Sequence, residues 1–315
     1  MHPTEGVKSS IGAVFQPRVR YGEPMSAHTS WHAGGPADAY FTPRDVDDLS
    51  AFLRALPAEV PVYWVGLGSN LLVRDGGIRG VVIATTGVFT RIERRSEQRI
   101  YCEASVPCAR IARACVRWEL AEGEFFSGIP GLLGGALAMN AGAFGDETWK
   151  HVRAVETMDR RGLRRTRERR DFEVGYRSVG LRARADVDEW FISAQLEFEP
   201  GTLSRGKMQQ LLTRRRETQP LGAWSCGSVF KNPPADHAAR LIEAAGLKGY
   251  RIGDAVVSMK HANFIINEGQ ARARDLEQLI RHVQATVERT HGVRLEPEVR
   301  IIGELQPDPA AEAAC

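Results

Sequence analysis

The chain has 315 residues, 43% apolar and 26% charged, enough for two or three packed units with a cleft between them and too ordinary in balance for a disordered or fibrous protein. Its 42 basic and 39 acidic residues leave a net charge of +3, which gives no ground for a nucleic-acid partner. The N-terminal stretch lacks the apolar core of a signal peptide and nothing approaches the ~18 apolar residues of a membrane span, so a cytoplasmic protein with no membrane partner is expected.

Residues 45–56 place Val46, Leu49, Phe52, Leu53 and Leu56 at helical spacing behind an Asp cap, and VYWVG (62–66) and GVVIATT (80–86) read as strands. The first of these strands runs straight into a Gly-rich turn, GLGSN (66–70). A second helical stripe over 110–120 carries Ile111, Cys115 and Trp118 and precedes a longer Gly-rich stretch, 123–145. VRAVETMD and WFISAQLEFEP alternate like antiparallel strands, and the basic run 160–170, RRGLRRTRERR, reads as a solvated hairpin or loop. Helices are expected around Met208, Leu211 and Leu212, around Ala238, Leu241, Ile242 and Ala245 before Gly246, and around Leu276 to Val287 before Gly292. Cysteines 102, 108, 115, 226 and 315 are odd in number and form no CxxC pair, so free thiols are expected and neither a disulfide framework nor a metal site.

The glycines, hydroxyl and amide of GLGSN suit either a plain turn or a backbone that approaches a pyrophosphate closely. GIPGLLGG (128–135) spaces its glycines G-x-x-G-x-x-G, which is not the Rossmann fingerprint. Its small residues suit tight packing against another element or against a flat, bulky ligand. Two such stretches, each following an α/β pattern, favour a large phosphate-bearing cofactor.

Seven blocks in order, HTSWHAGGPA (28–37), GLGSNLLVRDGGIRGVVI (66–83), GIPGLLGGALAMNAGAFG (128–145), GYR (175–177), CGSVFKNP (226–233), GYRIGDAVVSMKHANFIIN (249–267) and LEPEVRIIG (295–303), closely resemble the MurB family of UDP-N-acetylenolpyruvoylglucosamine reductases. The resemblance implies an α+β protein: a two-domain FAD-binding module of the vanillyl-alcohol-oxidase/PCMH type plus a third α/β substrate-binding domain. The expected boundaries are 1–86 with 299–315, then 87–200, then 201–298. It also implies FAD as cofactor, NADPH as co-substrate, a UDP-sugar as the small-molecule substrate, and a monomer.

By the same resemblance, Gly66, Gly68, Ser69, Asn70 and Leu71 would wrap the FAD pyrophosphate. Ile129, Gly131, Gly134, Gly135, Ala136, Asn140 and Ala141 would run beside the flavin and its phosphates. Arg177 would be the cation that holds a carboxylate or enolate, Ser228 the proton donor, and Glu298 a carboxyl that assists, its pKa raised by a partly desolvated site. Lys231, Asn232, Lys260, His261 and Asn263 would contact the substrate, and Arg214, Arg215 and Arg216 would offer charge to phosphates, at least one of them facing solvent. The family's YR-x-S pattern is altered here, because Ser178 follows Arg177 directly. Few residues separate Arg177 from Trp190, so the class without an extra substrate-covering Tyr loop is expected. Two other readings remain at this point: an FAD oxidase of a small alcohol or sugar, and a degenerate flavin- or nucleotide-binding protein.

Overall fold

The computed structural model describes residues 3–183, 188–201 and 205–306, so Cys315 lies outside the described residues. After a short helix α1 (Pro3–Ser10), the first unit comprises β1 (Val19–Pro24), β2 (Pro36–Phe41), α2 (Val46–Ala55), β3 (Val62–Val65), β4 (Leu71–Val73) and β5 (Ile78–Ala84). α2 begins where the Asp45 carboxylate accepts the Asp48 amide at 2.8 Å, satisfying one of the free N–H groups of a helix start. The sheet order is β1-β2-β5-β3, with β5 parallel to both its neighbours. A central parallel strand is covered on both faces, so β5 is apolar without alternation from Val81 to Ala84. Val81 and Ile83 pack with Phe41 and the α2 residues Leu49, Phe52 and Leu53, while Val82 and Ala84 pack on the other side with Met25 and Tyr40.

The second unit contains β6 (Ile92–Arg94), β7 (Arg99–Glu103), α3 (Cys108–Arg117), α4 (Leu133–Ala138), β8 (Gly142–Ala143) and β9 (Asp146–Glu147), then β10 (Val152–Asp159), β11 (Arg164–Glu168), β12 (Phe172–Gly175), β13 (Ser178–Leu181) and β14 (Glu189–Glu197). Its main sheet, β11-β10-β14-β7-β6, is antiparallel throughout. α3 and α4 bury Ile111, Cys115, Leu133 and Leu137 against Ile100, Val155 and Leu196 of that sheet. The four described cysteines are all buried free thiols. The basic run forms the β10–β11 hairpin, and part of it turns inward. Arg160 donates to the Leu53, Pro57 and Val60 carbonyls at 3.3, 2.6 and 3.1 Å, fastening the second unit to the first, and Arg167 pairs with Glu189 at 2.6 Å.

The remaining elements are α5 (Arg205–Thr218), α6 (Ala238–Ala244), β15 (Arg251–Ile252), β16 (Ala255–Val257), β17 (Ile265–Asn267), α7 (Ala273–His291) and β18 (Arg300–Ile302). α7 buries Leu276, Leu279, Ile280, Val283 and Val287 at helical spacing, which is the amphipathic pattern of a helix laid on a core. It stops at Gly292, whose φ of 67° lies in the left-handed region, where a side chain is strained. Trp31, from the loop between β1 and β2, is wholly buried in this third core. Its indole N–H donates to the Ile265 carbonyl at 2.8 Å, and the Asn267 amide donates to the Trp31 carbonyl at 2.8 Å. β18 returns to pair in parallel with β4, Arg300 opposite Leu71 and Ile302 opposite Val73.

Candidate active site

The two Gly-rich stretches, far apart in sequence, face each other. Gly68 adopts φ +61°, and a side chain there would land inside the van der Waals shell of the His28 carbonyl. The turn is held against that segment by the Ser30 amide, which donates to the Gly68 carbonyl at 3.2 Å. A methyl built on Gly66 would stand 3.2 Å from Leu132 Cδ1, and one on Gly131 would stand 3.4 Å from Ser69 Oγ. At Gly135, by contrast, an added methyl would enter open space, while the Gly134 amide donates to the Ala104 carbonyl at 2.7 Å. Ile129, Ala136 and Ala141 are buried in the second core, so what they offer to the cleft is backbone. Leu71 is half-buried against the core of the first sheet.

Asn70 ties this cradle to the end of the chain. Its Nδ2 donates to the Glu298 carbonyl at 3.0 Å and stands 3.6 Å from Met139 Sδ, and its own carbonyl accepts from the Arg300 amide at 3.1 Å. The segment after Cys226 runs alongside the same stretch. The Lys231 amide donates to the Glu296 carbonyl at 2.9 Å and the Glu298 amide to the Val229 carbonyl at 2.7 Å, so half-buried Ser228 is carried next to Glu298.

Arg177 reaches the same place from the second unit. It lies in the two-residue turn between β12 and β13 at φ +53°, an uncommon backbone state for arginine. Its Nη1 and Nη2 donate to the Asn140 and Gly142 carbonyls, both at 3.2 Å, and its Nε lies 3.1 Å from Glu298 Oε1. The Nε hydrogen is turned off the line to that oxygen and is left without a hydrogen-bond partner, so the contact is ionic rather than a directed hydrogen bond. Burial pushes the Glu298 carboxyl above its ordinary pKa, opposed by the Arg177 charge. Burial also pushes the neighbouring Cys226 thiol up, and the charge of Glu298 adds to it. The arrangement is a cation and a carboxyl of raised proton affinity, side by side beside a hydroxyl, at the edge of an open glycine cradle.

The other residues named from sequence fall in several places. Asn140 is almost fully buried. Lys231 Nζ meets Glu296 at 2.6 Å, and Asn232 is exposed, its Oδ1 accepting the Ala238 amide at 3.1 Å at the start of α6. Asn263 is buried with both ends of its carboxamide on the Phe230 backbone, at 2.9 and 2.8 Å, where it shapes the loop that carries Ser228. Lys260 Nζ donates to the Arg216 carbonyl. His261 packs edge-on against Phe264 with a buried Nδ1 that lacks a partner, and burial lowers its pKa. Arg214 and Arg216 are exposed, whereas Arg215 turns in toward the Ser127 carbonyl at 3.5 Å, and burial lowers its pKa.

Glu147, Gly142 and Gly175, which brace Asn140 and Arg177, escape a reading by motif because two of them act through main-chain carbonyls. Residues 184–187, where a lid loop would sit, lie outside the described residues. Apart from this site, Glu122, Asp146 and His151 bring ligand atoms within 4.8 Å of one another. His151 and Lys150 already meet Asp146 at 2.8 and 3.1 Å.

A cradle open at Gly135 and walled by two close-approaching turns fits a large phosphate-bearing cofactor. A family model described as an FAD binding domain matches residues 37–166, and one described as the C-terminal domain of UDP-N-acetylenolpyruvoylglucosamine reductase matches residues 219–302. Fold and site together define a flavin-dependent oxidoreductase with an added C-terminal domain. A UDP-N-acetylenolpyruvoylglucosamine reductase of Alkalilimnicola ehrlichii is 56% identical over 91% of this chain and 96% of its own. One of Methylococcus capsulatus is 54% identical over 90% and 93%. The crystal structure of the MurB enzyme from Thermus caldophilus superposes with a TM-score of 0.75 at 31% identity, covering 90% of this chain and 98% of that one. The chain belongs to the UDP-N-acetylenolpyruvoylglucosamine reductase (MurB) family.

Proposed function

We propose that Arg177, Ser228 and Glu298 perform the chemistry by which this FAD-dependent enzyme reduces the enolpyruvyl ether of UDP-N-acetylglucosamine to UDP-N-acetylmuramate in peptidoglycan precursor synthesis, with NADPH as electron donor. The observation that carries the reading is the Arg177–Glu298 contact at 3.1 Å between the glycine cradle and the Ser228 turn. Gly66 to Leu71 and Gly131 to Gly135 would hold the FAD. When bound, FAD takes a hydride from NADPH and delivers one to the substrate's methylene carbon.

Negative charge then builds on the adjacent carbon and its carboxylate. The guanidinium of Arg177, which cannot lose its charge and is fixed in place by the Asn140 and Gly142 carbonyls, stabilises that carboxylate by its charge and by the N–H groups those carbonyls leave free. The Ser228 hydroxyl gives its proton to the carbon, a short transfer to a strong base that is favoured once bound substrate excludes water. Glu298, its pKa raised by burial against the pull of Arg177, steadies the developing charge with a hydrogen bond when it carries its proton. Lys231, Asn232, Lys260 and His261 are proposed on the substrate side, with Lys231 and Lys260 best suited to the diphosphate, whereas buried Asn263, committed to the Phe230 backbone, would act only by shaping the Ser228 loop. Among the described residues no helix is long and apolar enough to cross a membrane. A monomer working in the cytoplasm completes the proposal.

The test separates the half-reactions. Purified protein should be yellow, NADPH should bleach it anaerobically, and the UDP-enolpyruvyl sugar should restore the colour. Ser228→Ala should leave bleaching unchanged and slow recolouring by about 10²-fold or more. Reduced flavin indifferent to the sugar would overturn the proposal.

A further inference from the structure

Asn140 lies in the Gly-rich stretch that borders the cofactor cradle, but its side chain has nothing left to offer a ligand there. A carboxamide has two N–H donors and one carbonyl acceptor. Nδ2 donates to Glu147 Oε2 at 2.9 Å and to the Gly175 carbonyl at 3.1 Å, and Oδ1 accepts the Trp149 amide at 3.0 Å. The residue is 1% exposed. Every polar atom is spent inside the protein.

Two of its connections lead to Arg177. The Gly175 carbonyl is two residues ahead of Arg177, at the base of the β12–β13 turn. The main-chain carbonyl of Asn140 itself accepts from Arg177 Nη1 at 3.2 Å. Both residues have left-handed backbone, φ 47° at Asn140 and 53° at Arg177, and asparagine is among the few side chains that tolerate this state. Asn140 thus grips the hairpin at its turn with the side chain and the guanidinium with the main chain. The Gly142 carbonyl holds Nη2 at 3.2 Å.

We propose that Asn140 is a positioning residue for Arg177, fixing the guanidinium beside Glu298, and is not a side-chain contact to the cofactor. The inference rests on the assignment of Arg177 to substrate reduction made above. Asn140→Gly keeps the backbone state and the carbonyl while removing the carboxamide. In the FAD-loaded enzyme it should retain flavin and be reduced by NADPH at the wild-type rate. Reoxidation by the UDP-enolpyruvyl sugar should slow about 10- to 100-fold, the scale of a misplaced catalytic group. The double variant Asn140→Gly with Arg177→Met should reoxidise no more slowly than Arg177→Met alone, since a residue acting through another adds nothing once that other is gone.

Asn140→Asp, which keeps the Trp149 bond and the backbone state but lacks both donors, should show the same split between half-reactions and serves where the glycine variant does not fold. Loss of flavin, or equal slowing of both half-reactions, would make Asn140 a cofactor contact and overturn the inference. Unchanged reoxidation would overturn it as well. A wild-type reoxidation rate in Arg177→Met is a separate result, and it removes the underlying assignment itself.

Discussion

Glu298 is a carboxyl under two opposed influences, burial that raises its pKa and Arg177 that lowers it. Burial prevails, so the acid form persists above the ordinary carboxylate value of ~4.3. If the protonated carboxyl serves the reaction, kcat/KM for the UDP-enolpyruvyl sugar falls as pH rises through that raised value. Arg177→Met removes the lowering influence and should move the fall to higher pH, as read from a pH–rate profile of reoxidation. The same shift bears on folding. The folded state binds this proton more tightly than the unfolded chain, so the group's stabilising contribution is full at low pH and is lost as pH rises through the raised value. Ser228, Arg177 and Glu298 are ordinary residues taken singly, and the ordered motifs are what mark them in the sequence. Their partners are not legible there, because Asn70 and Asn140 donate across 228 and 35 residues of chain to main-chain carbonyls, and no residue type signals that a carbonyl is in use.

The helices were the most legible elements, for local reasons. α2 and α7 have apolar residues at helical period, with a start signal at Asp45 for the one and a stop signal at Gly292 for the other, and each of these ends makes a measurable contribution. Asp45→Ala removes the cap on Asp48 and should cost about 1 kcal/mol. Gly292→Ala forces a side chain into left-handed backbone and should cost about 1 kcal/mol. Both are read as shifts in urea midpoint at constant slope. The hairpin of β12 and β13 was not legible as strands. Its residues, FEVG and SVGL, are short and rich in glycine, and only Phe172 among them is fully buried, so the alternation that marks a half-buried strand has little length to appear in. The basic run was legible as a solvated hairpin or loop, whereas the inward turn of Arg160 was not. Three carbonyl acceptors on another unit draw it in, and sequence carries no sign of them.

At the scale of the molecule, the units are joined through residues that belong to one by sequence and to another by packing. Trp31 comes from the N-terminal segment and is buried among Ile265, Leu276 and Val283. Trp31→Ala should cost about 3–5 kcal/mol by emptying that core. It should also strand the Ile265 carbonyl, and the loss should appear as a lower denaturation midpoint together with weaker binding of the UDP-sugar. The length and balance of the chain imply several units, but the crossing of Trp31 depends on long-range packing that no local pattern records. Met158 and Ile192, from the second sheet, enter the core of the first in the same way.

The pairing of β18 with β4 has a consequence for how the molecule is made. A strand that emerges early, at residues 71–73, finds its parallel neighbour only at residues 300–302. Glu298 and the carbonyl that holds Asn70 arrive with that neighbour. During synthesis the strand that follows the cofactor turn therefore waits, without its ladder partner, until residues 300–302 have left the ribosome. A nascent chain released short of that point would carry the cradle but not the acid beside it. Capture of the cofactor in its finished setting is thereby coupled to the emergence of a strand some 230 residues downstream of the turn.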